Sequence, residues 1–500
     1  MEMLDNLWLG LSVAITPINL WWCLVGVFLG TAIGVLPGLG PSATIAMLLP
    51  ATFGLEPVSA LIMMAGIFYG AQYGGSTTAI LINLPGEATS VVTALDGYQM
   101  ARKGAAGRAL AAAAISSFFA GTVCTVLIAL FAPPLTDLAF KFGPAEYFSL
   151  MVLGLAASVV LASGSIIHAL AMIVLGLLLG LVGTDVNSGA QRYTSGLPEL
   201  ADGFNFVIVA MGMFGIGEII ANLEDESRRD LGVKSVKGLM PTREDWRRMF
   251  APILRGTSLG AILGILPGGG AALASFGAYA LEKRVSKHAD ELGKGAIEGI
   301  AAPEAANNAG AQMSFIPMLT LGFPANPVMA LMIGAMIMQG IQPGPGVMAE
   351  QPRLFWGLIA SMWVGNVMLL VLNLPLIGLW VRMIMVPYHF LFPMIIVFCA
   401  IGVFSLANNA FDLQIMVGFG LLGYILKKLD CEPAPLLLGF ILGPLMEEFL
   451  RRSLLLSQGD PTVFVTRPLS AVLLALAVAV LAMVLLPAFS RTRDVAFKEA

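Results

Sequence analysis

Charge is what this sequence has least of. Only 12% of its 500 residues are Asp, Glu, Lys or Arg, about half the share in an average soluble domain. No Lys or Arg occurs before Arg102. Such a chain does not read as a soluble globular domain, and no nucleic-acid partner is expected. Cysteine is scarce too. Cys23, Cys124, Cys399 and Cys431 are far apart and show no metal-ligand spacing, so they read as packing residues rather than a disulfide or zinc framework. There are three histidines and no H-E-x-x-H, and no Walker A sequence occurs, so hydrolysis of ATP by that route is not expected. No basic n-region with a small-residue cleavage site precedes the first apolar run, so no cleaved signal peptide is expected.

What fills the chain instead is apolar. Hydrophobic residues make up 58% of it, and its mean hydropathy is +0.87. Charge-poor runs recur at 109–131, 151–182 and 471–488. A helix needs roughly 20 apolar residues to cross the hydrocarbon, and by that measure the chain offers about 11 to 13 membrane segments. The sequence predicts an all-α polytopic membrane protein. Short alternating strands, the mark of a membrane barrel, are not seen. Ordinary spans are expected near 106–131, 147–161, 165–183, 203–221, 354–380, 390–406, 411–426, 434–449 and 469–488.

The most informative feature is a repeat. Gly34-Val35-Leu36-Pro37-Gly38-Leu39-Gly40 returns as Gly264-Ile265-Leu266-Pro267-Gly268-Gly269-Gly270. A Pro/Gly break in a membrane helix frees backbone groups and is tolerated only where protein or a wet cavity surrounds it. Paired breaks in two halves of a chain point to a binding site between two repeats. In the first copy a short helix is expected over 43–49. In the second, about nine residues between Thr257 and Leu266 are too few to cross at 1.5 Å each, so a re-entrant hairpin is expected. A second broken helix is expected in each copy: 60–84, interrupted at 73–78, and 299–323, interrupted at 307–310.

Basic residues supply a topology. Arg102, Lys103 and Arg108 share one loop, and further clusters lie at 228–248, 283–294, 427–428, 451–452 and in the tail. The positive-inside rule places these in the cytoplasm, with a periplasmic N-terminus and a cytoplasmic C-terminus. The first copy is entered from the uncharged side and the second from the basic side, the charge signature of two inverted repeats. The expected division is 1–104 first repeat core, 105–221 scaffold spans, 222–255 cytoplasmic loop, 256–346 second repeat core, 347–490 scaffold spans and 491–500 cytoplasmic tail.

The breaks hold few cations, so an anionic ligand would have to be met by half-helix N-termini. Ser42 and Thr44 would open the helix after Pro41, and Ser76 and Thr77 the one after Gly74-Gly75. Gly38, Gly40, Gly268, Gly269 and Gly270 would let backbone approach a ligand. Their plain alternative is close helix packing. Asn307, Asn308 and Asn326 are further substrate candidates. Asn83, Glu304 and Asn308 offer the oxygens a hard cation such as sodium needs. Glu304 lies in an otherwise apolar stretch, where a carboxylate is costly and suggests function. It could hold sodium, carry a proton or cap the backbone at Pro303.

Three stretches in order, Gly34–Pro41, Tyr69–Pro85 with Asp96-Gly97-Tyr98, and Ala302-Pro303-Glu304-Ala305-Ala306-Asn307-Asn308-Ala309, resemble the large permease subunit of the tripartite tricarboxylate transporters. The resemblance runs to about Gly346 in motifs and over the whole chain in length and hydropathy. It implies a multi-pass permease of the bacterial inner membrane, not an enzyme. It implies two protein partners, a small four-span membrane subunit and a periplasmic solute-binding protein. Uptake of citrate or another carboxylate, coupled to sodium or protons, would be the activity. An anion channel or the membrane component of another uptake system is the alternative. The chain departs from the family's pattern at Gln312-Met313 and Phe323-Pro324-Ala325-Asn326, where small residues are commoner. Added amides in a substrate wall would change which anion fits.

Overall fold

The computed structural model describes residues 2–36, 39–84, 87–161, 165–185, 188–224, 236, 238–266, 270–384 and 388–485. The fold is all-α. The first half holds α1 (Glu2–Ala14), α2 (Pro17–Gly34), α3 (Pro41–Leu48), α4 (Pro57–Ile82), α5 (Val91–Met100), α6 (Ala106–Ala139), α7 (Pro144–Leu161), α8 (Ile166–Gly180), α9 (Phe206–Ala210) and α10 (Gly217–Glu224). The second holds α11 (Arg243–Gly264), α12 (Gly270–Val285), α13 (Glu298–Met313), α14 (Phe315–Leu321), α15 (Pro327–Met338) and α16 (Gly346–Glu350). It continues with α17 (Pro352–Asn373), α18 (Ile377–Ile384), α19 (Tyr388–Ala407), α20 (Ala410–Lys428), α21 (Pro433–Leu456), α22 (Val463–Thr466) and α23 (Pro468–Leu485). The strands among the described residues form one hairpin of β1 (Gly183–Thr184) and β2 (Gln191–Arg192).

Among the described residues, five stretches are long and apolar enough to cross a membrane: Pro17–Gly34, Val91–Ala139, Pro352–Asn373, Ala410–Lys428 and Pro433–Leu456. Shorter apolar helices lie at Pro144–Val159, Ile166–Gly180, Phe206–Ala221, Pro327–Met338, Phe392–Ser405 and Pro468–Ala482. This is a polytopic membrane protein.

Two helix pairs are built alike. α2 carries Gly26, Gly30 and Gly34 on one face, and each meets the backbone of α4. A Cβ at these positions would lie 2.2, 2.3 and 2.4 Å from the carbonyl oxygens of Met63, Ile67 and Ala71. α11 carries Gly256, Gly260 and Gly264, whose added Cβ atoms would lie 2.2 Å from Ala302 O, 2.3 Å from Ala306 O and 2.6 Å from Gly310 Cα, on α13. Without a hydrophobic drive between helices in lipid, such backbone contact is what holds them together. The internal repeat therefore extends beyond the Leu-Pro-Gly signature into helix packing.

Several local expectations fail, each for a physical reason. α4 is continuous through 73–78. Gly74 serves close packing on Gly34 and Val35 rather than a break. The Ser76, Thr77 and Thr78 hydroxyls donate back to the carbonyls of Gln72, Tyr73 and Gly74 inside the helix. They do not open a helix. α13 likewise runs unbroken through 307–310 and ends only at Met313. The limb before the second signature is not nine residues but the 22 of α11, about 33 Å at 1.5 Å each. It begins at Arg243, inside the expected loop, with a capping box between Thr242 and Asp245. By contrast, the eight residues of α3 span only about 12 Å. The expected span 354–380 is two helices, α17 and α18.

Lys427-Lys428 end α20, and Arg451-Arg452 lie inside the 24-residue α21 near its C-terminal end. The arginines at the 451 end are paired. Arg451 bonds Glu447 and Asp185, Arg452 bonds Glu448, and Arg192 bonds Glu447. Arg467 bonds Glu146.

Candidate functional site

Glu304 sits on α13, on a different face from the one packed on α11, and is 2% exposed. Thr93 Oγ1, from α5, donates to Glu304 Oε1 at 2.6 Å. Ser117 Oγ, from α6, donates to Oε2 at 3.2 Å. The Ser76 hydroxyl of α4 lies beside the same carboxylate. Asn308, one turn along α13, donates from Nδ2 to Ser117 Oγ at 2.6 Å and to Glu304 O at 3.2 Å. Four helices thus converge on one carboxylate. Among the ion pairs of the described residues, none involves Glu304.

Tyr73, Ser76, Thr77, Ser117, Glu304 and Asn373 line an internal cavity of about 10 Å³. That is room for about one water, and far too little for a tricarboxylate. Leu110, Ala113 and Ala114 of α6 complete the wall. Asn373 Oδ1 is buried without a hydrogen-bond partner. The site offers a carboxylate, several hydroxyls and amide oxygens, the hard-oxygen chemistry that suits a small cation.

Of the residues singled out in the sequence, Ser76, Thr77, Glu304 and Asn308 come together here. Asn307 is buried one position away and faces Glu87, to which its Nδ2 donates at 3.4 Å. Others lie elsewhere. Gly40 is the N-cap of α3, and Thr44 Oγ1 donates to its carbonyl at 3.0 Å. Ser42 is half-buried in the first turn of α3, and Gly270 opens α12 against Gly264. Asn326 caps α15, its Oδ1 accepting from Met329 N at 2.9 Å. Asn83 is exposed and ends α4 at φ 57°, a conformation asparagine tolerates. Asn326 and Asn83 therefore have structural work that accounts for them. Gly38, Gly268 and Gly269 lie outside the described residues. Glu304 is not a backbone cap for the Pro303 position, since its oxygens face side-chain hydroxyls. Gln312 braces α13 on α6, donating to Gly121 O at 3.3 Å and Thr125 Oγ1 at 2.9 Å.

Sequence reasoning missed Thr93 and Ser117. Their signal is weak: Ser117 sits in an Ala-rich span that reads as scaffold. It also passed over Gly256-Thr257-Ser258-Leu259-Gly260, which matches G-x-S-x-G literally. The match has no strand–turn–helix context. Ser258 lies mid-helix in α11 and donates to Leu254 O at 2.9 Å.

A second buried carboxylate, Asp96 of α5, has a different setting. Its oxygens accept from the backbone N–H groups of Gly293, Gly295 and Ala296 at 2.7–3.0 Å and from Tyr279 Oη at 3.0 Å. It clips the first half of the chain to the second.

The sequence model of the Tripartite tricarboxylate transporter TctA family matches residues 20–438. A protein of Agrobacterium vitis described as "Uncharacterized 52.8 kDa protein in TAR-I ttuC' 3'region" is 60% identical over 499 residues, covering 100% of this chain and 99% of the relative. A second from the same organism, "Uncharacterized protein in TAR-II ttuC' 3'region", is 59% identical over 240 residues, 48% of this chain and 99% of the relative. No solved structure matches.

Proposed function

This chain belongs to the tripartite tricarboxylate transporter TctA family, and from that premise we propose that it is the permease of a binding-protein-dependent secondary transporter. It imports a di- or tricarboxylate such as citrate, driven by a sodium gradient or, failing that, a proton gradient. Its partners are a small four-span membrane subunit and a periplasmic solute-binding protein. It resides in the bacterial inner membrane with the basic ends of α5–α6 and α11–α12 in the cytoplasm.

One observation carries the reading: a carboxylate buried among membrane helices, without a basic partner among the described residues, ringed by hydroxyls from the other half of the chain. A charge kept there at high cost argues for use. Sodium fits the hydroxyls and carboxylate. It also answers the anion problem. The breaks contain no Lys or Arg, so a bound cation supplies charge that the substrate's carboxylates require. The starts of α3 and α12 supply free N–H groups at the two breaks. Ser42 adds a hydroxyl there, whereas the Thr44 proton is already given to Gly40. The likeness of the α2–α4 and α11–α13 pairs supports two structural repeats, which we take to be inverted.

Uptake of a panel of di- and tricarboxylates into proteoliposomes tests this. The chain and its small subunit are reconstituted with or without the binding protein, and sodium and proton gradients are imposed separately. Saturable uptake requiring the binding protein and one gradient is expected. Gradient-independent, non-saturating flux would overturn the proposal in favour of a channel.

A further inference from the structure

Asn307 and Asn308 are consecutive on α13, so their side chains leave the helix about 100° apart. Each meets a different carboxylate. Asn308 joins the Ser117–Glu304 group. Asn307, 1% exposed, reaches Glu87 in the connection between α4 and α5.

The Glu87 side chain accepts from the Ser90 N–H in a capping box at the start of the turn that leads into α5. The Asn307 amide donates to its carboxylate only at a long 3.4 Å. Thr89 Oγ1 is buried beside the carboxylate without a well-formed hydrogen bond. Asn307 Oδ1 is buried and has no partner at all. A buried amide oxygen left unpaired loses its hydration with nothing in return. Among the described residues, only that long contact orients the amide. Turned over, it would present Oδ1 rather than Nδ2 toward Glu87. Carboxylate, amide oxygen and the neighbouring Thr89 hydroxyl would then make an all-oxygen set with no basic side chain paired to it among the described residues. That is the chemistry of a hard monovalent cation site.

We propose that Glu87, Thr89 and Asn307 form a second site for a monovalent metal cation, beside the one at Glu304, so that each chain binds two such ions. The Asn-Asn pair serves one site with each residue. The remaining coordination at Glu87 is left to water or a substrate carboxylate. The inference rests on the cation reading of Glu304 only for the count of two, since the Glu87 site stands on its own residues.

Equilibrium binding of ²²Na⁺ to the purified full-length chain tests it, with size-exclusion profiles confirming that each variant is folded. The expected stoichiometry is two ions for the wild type, one for Glu87→Gln and one for Glu304→Gln. Asn307→Ala should keep one tight ion and weaken the other at least tenfold, a check that spares the carboxylate. A Glu87→Gln protein that binds as many ions as wild type overturns the proposal, as does a Glu87→Gln effect confined to the pH dependence of transport. One ion, lost in Glu304→Gln alone, overturns this inference and leaves the Glu304 reading standing. One ion, lost in Glu87→Gln alone, supports the Glu87 site and defeats the Glu304 reading.

Discussion

Asp96 and Glu304 are both buried carboxylates, and each belongs to one half of the chain while its donors come mainly from the other. Asp96 is held by the second half's backbone N–H groups and Tyr279. Glu304 is held by the first half's Thr93 and Ser117 hydroxyls. The difference lies in what the donors can do besides donate. A backbone N–H has a fixed hydrogen and no lone pair to offer, so it repels a cation. A hydroxyl rotates, and can give its proton to a carboxylate or turn a lone pair toward an ion. Asp96 is therefore saturated and structural. Glu304 is satisfied by groups that can change roles. Two carboxylates of similar burial thus differ in what their donors allow, not in their depth.

The largest effect expected from breaking this comparison is at Asp96. Asp96→Ala would leave three N–H groups and the Tyr279 hydroxyl without their acceptor, at about 1–3 kcal/mol for each group that finds no other. Thermal unfolding in detergent should show a marked loss of stability. Sodium affinity in the surviving folded fraction should be unchanged. Normal melting with lost ion dependence would reverse the roles assigned to the two carboxylates.

The scaffold beneath them can be tested next. Gly30→Val and Gly260→Val force side chains into backbone contacts at equivalent places in the two helix pairs, each costing about 1–3 kcal/mol by overpacking. Similar losses of melting temperature are expected. A large loss at one and none at the other would mean that the likeness of the pairs is superficial.

Within the site, Asn308→Ala should weaken apparent sodium affinity about tenfold, about 1.4 kcal/mol. Ser117→Ala should act in the same direction by less, since Thr93 and Ser76 remain. Unchanged ion dependence of uptake in both would remove them from the site. The smallest effect belongs to Ser258→Ala, where stability should stay within about 0.5 kcal/mol and uptake should be unaltered. A loss of uptake there would reopen the G-x-S-x-G motif as chemistry.

How much of this could be read in the sequence follows from which interactions are local. The Leu-Pro-Gly breaks, the apolar spans and the cost of a lone carboxylate at Glu304 are properties of short segments, and they were legible. Ser76 and Thr77 stand out in the sequence as a helix start that does not exist, and the structure places them in the wall of the cavity beside Glu304. A Gly-Gly-Ser-Thr-Thr run reads as a break until it is known that α2 packs against it. Asn83 and Asn326 lie at helix ends, α4 and α15, a placement that cannot be read until the helix ends are known. Thr93 and Ser117 reach Glu304 across 211 and 187 residues of chain. No periodicity announces such a meeting. The clip at Asp96 depends on the backbone N–H groups of Gly293, Gly295 and Ala296, and the two glycines, at φ 83° and 101°, read only as turn residues until Asp96 is brought to them.

On the function proposed above, the Glu304 carboxylate couples a cation to transport. Sodium-gradient-driven accumulation of the cognate carboxylate in proteoliposomes, compared between wild type and Glu304→Gln, tests it most directly. The account predicts that Glu304→Gln protein reconstitutes and melts like wild type yet loses gradient-driven accumulation about a hundredfold, a change of about 2.7 kcal/mol. Accumulation at the wild-type level, with the same dependence on the sodium gradient, would contradict it.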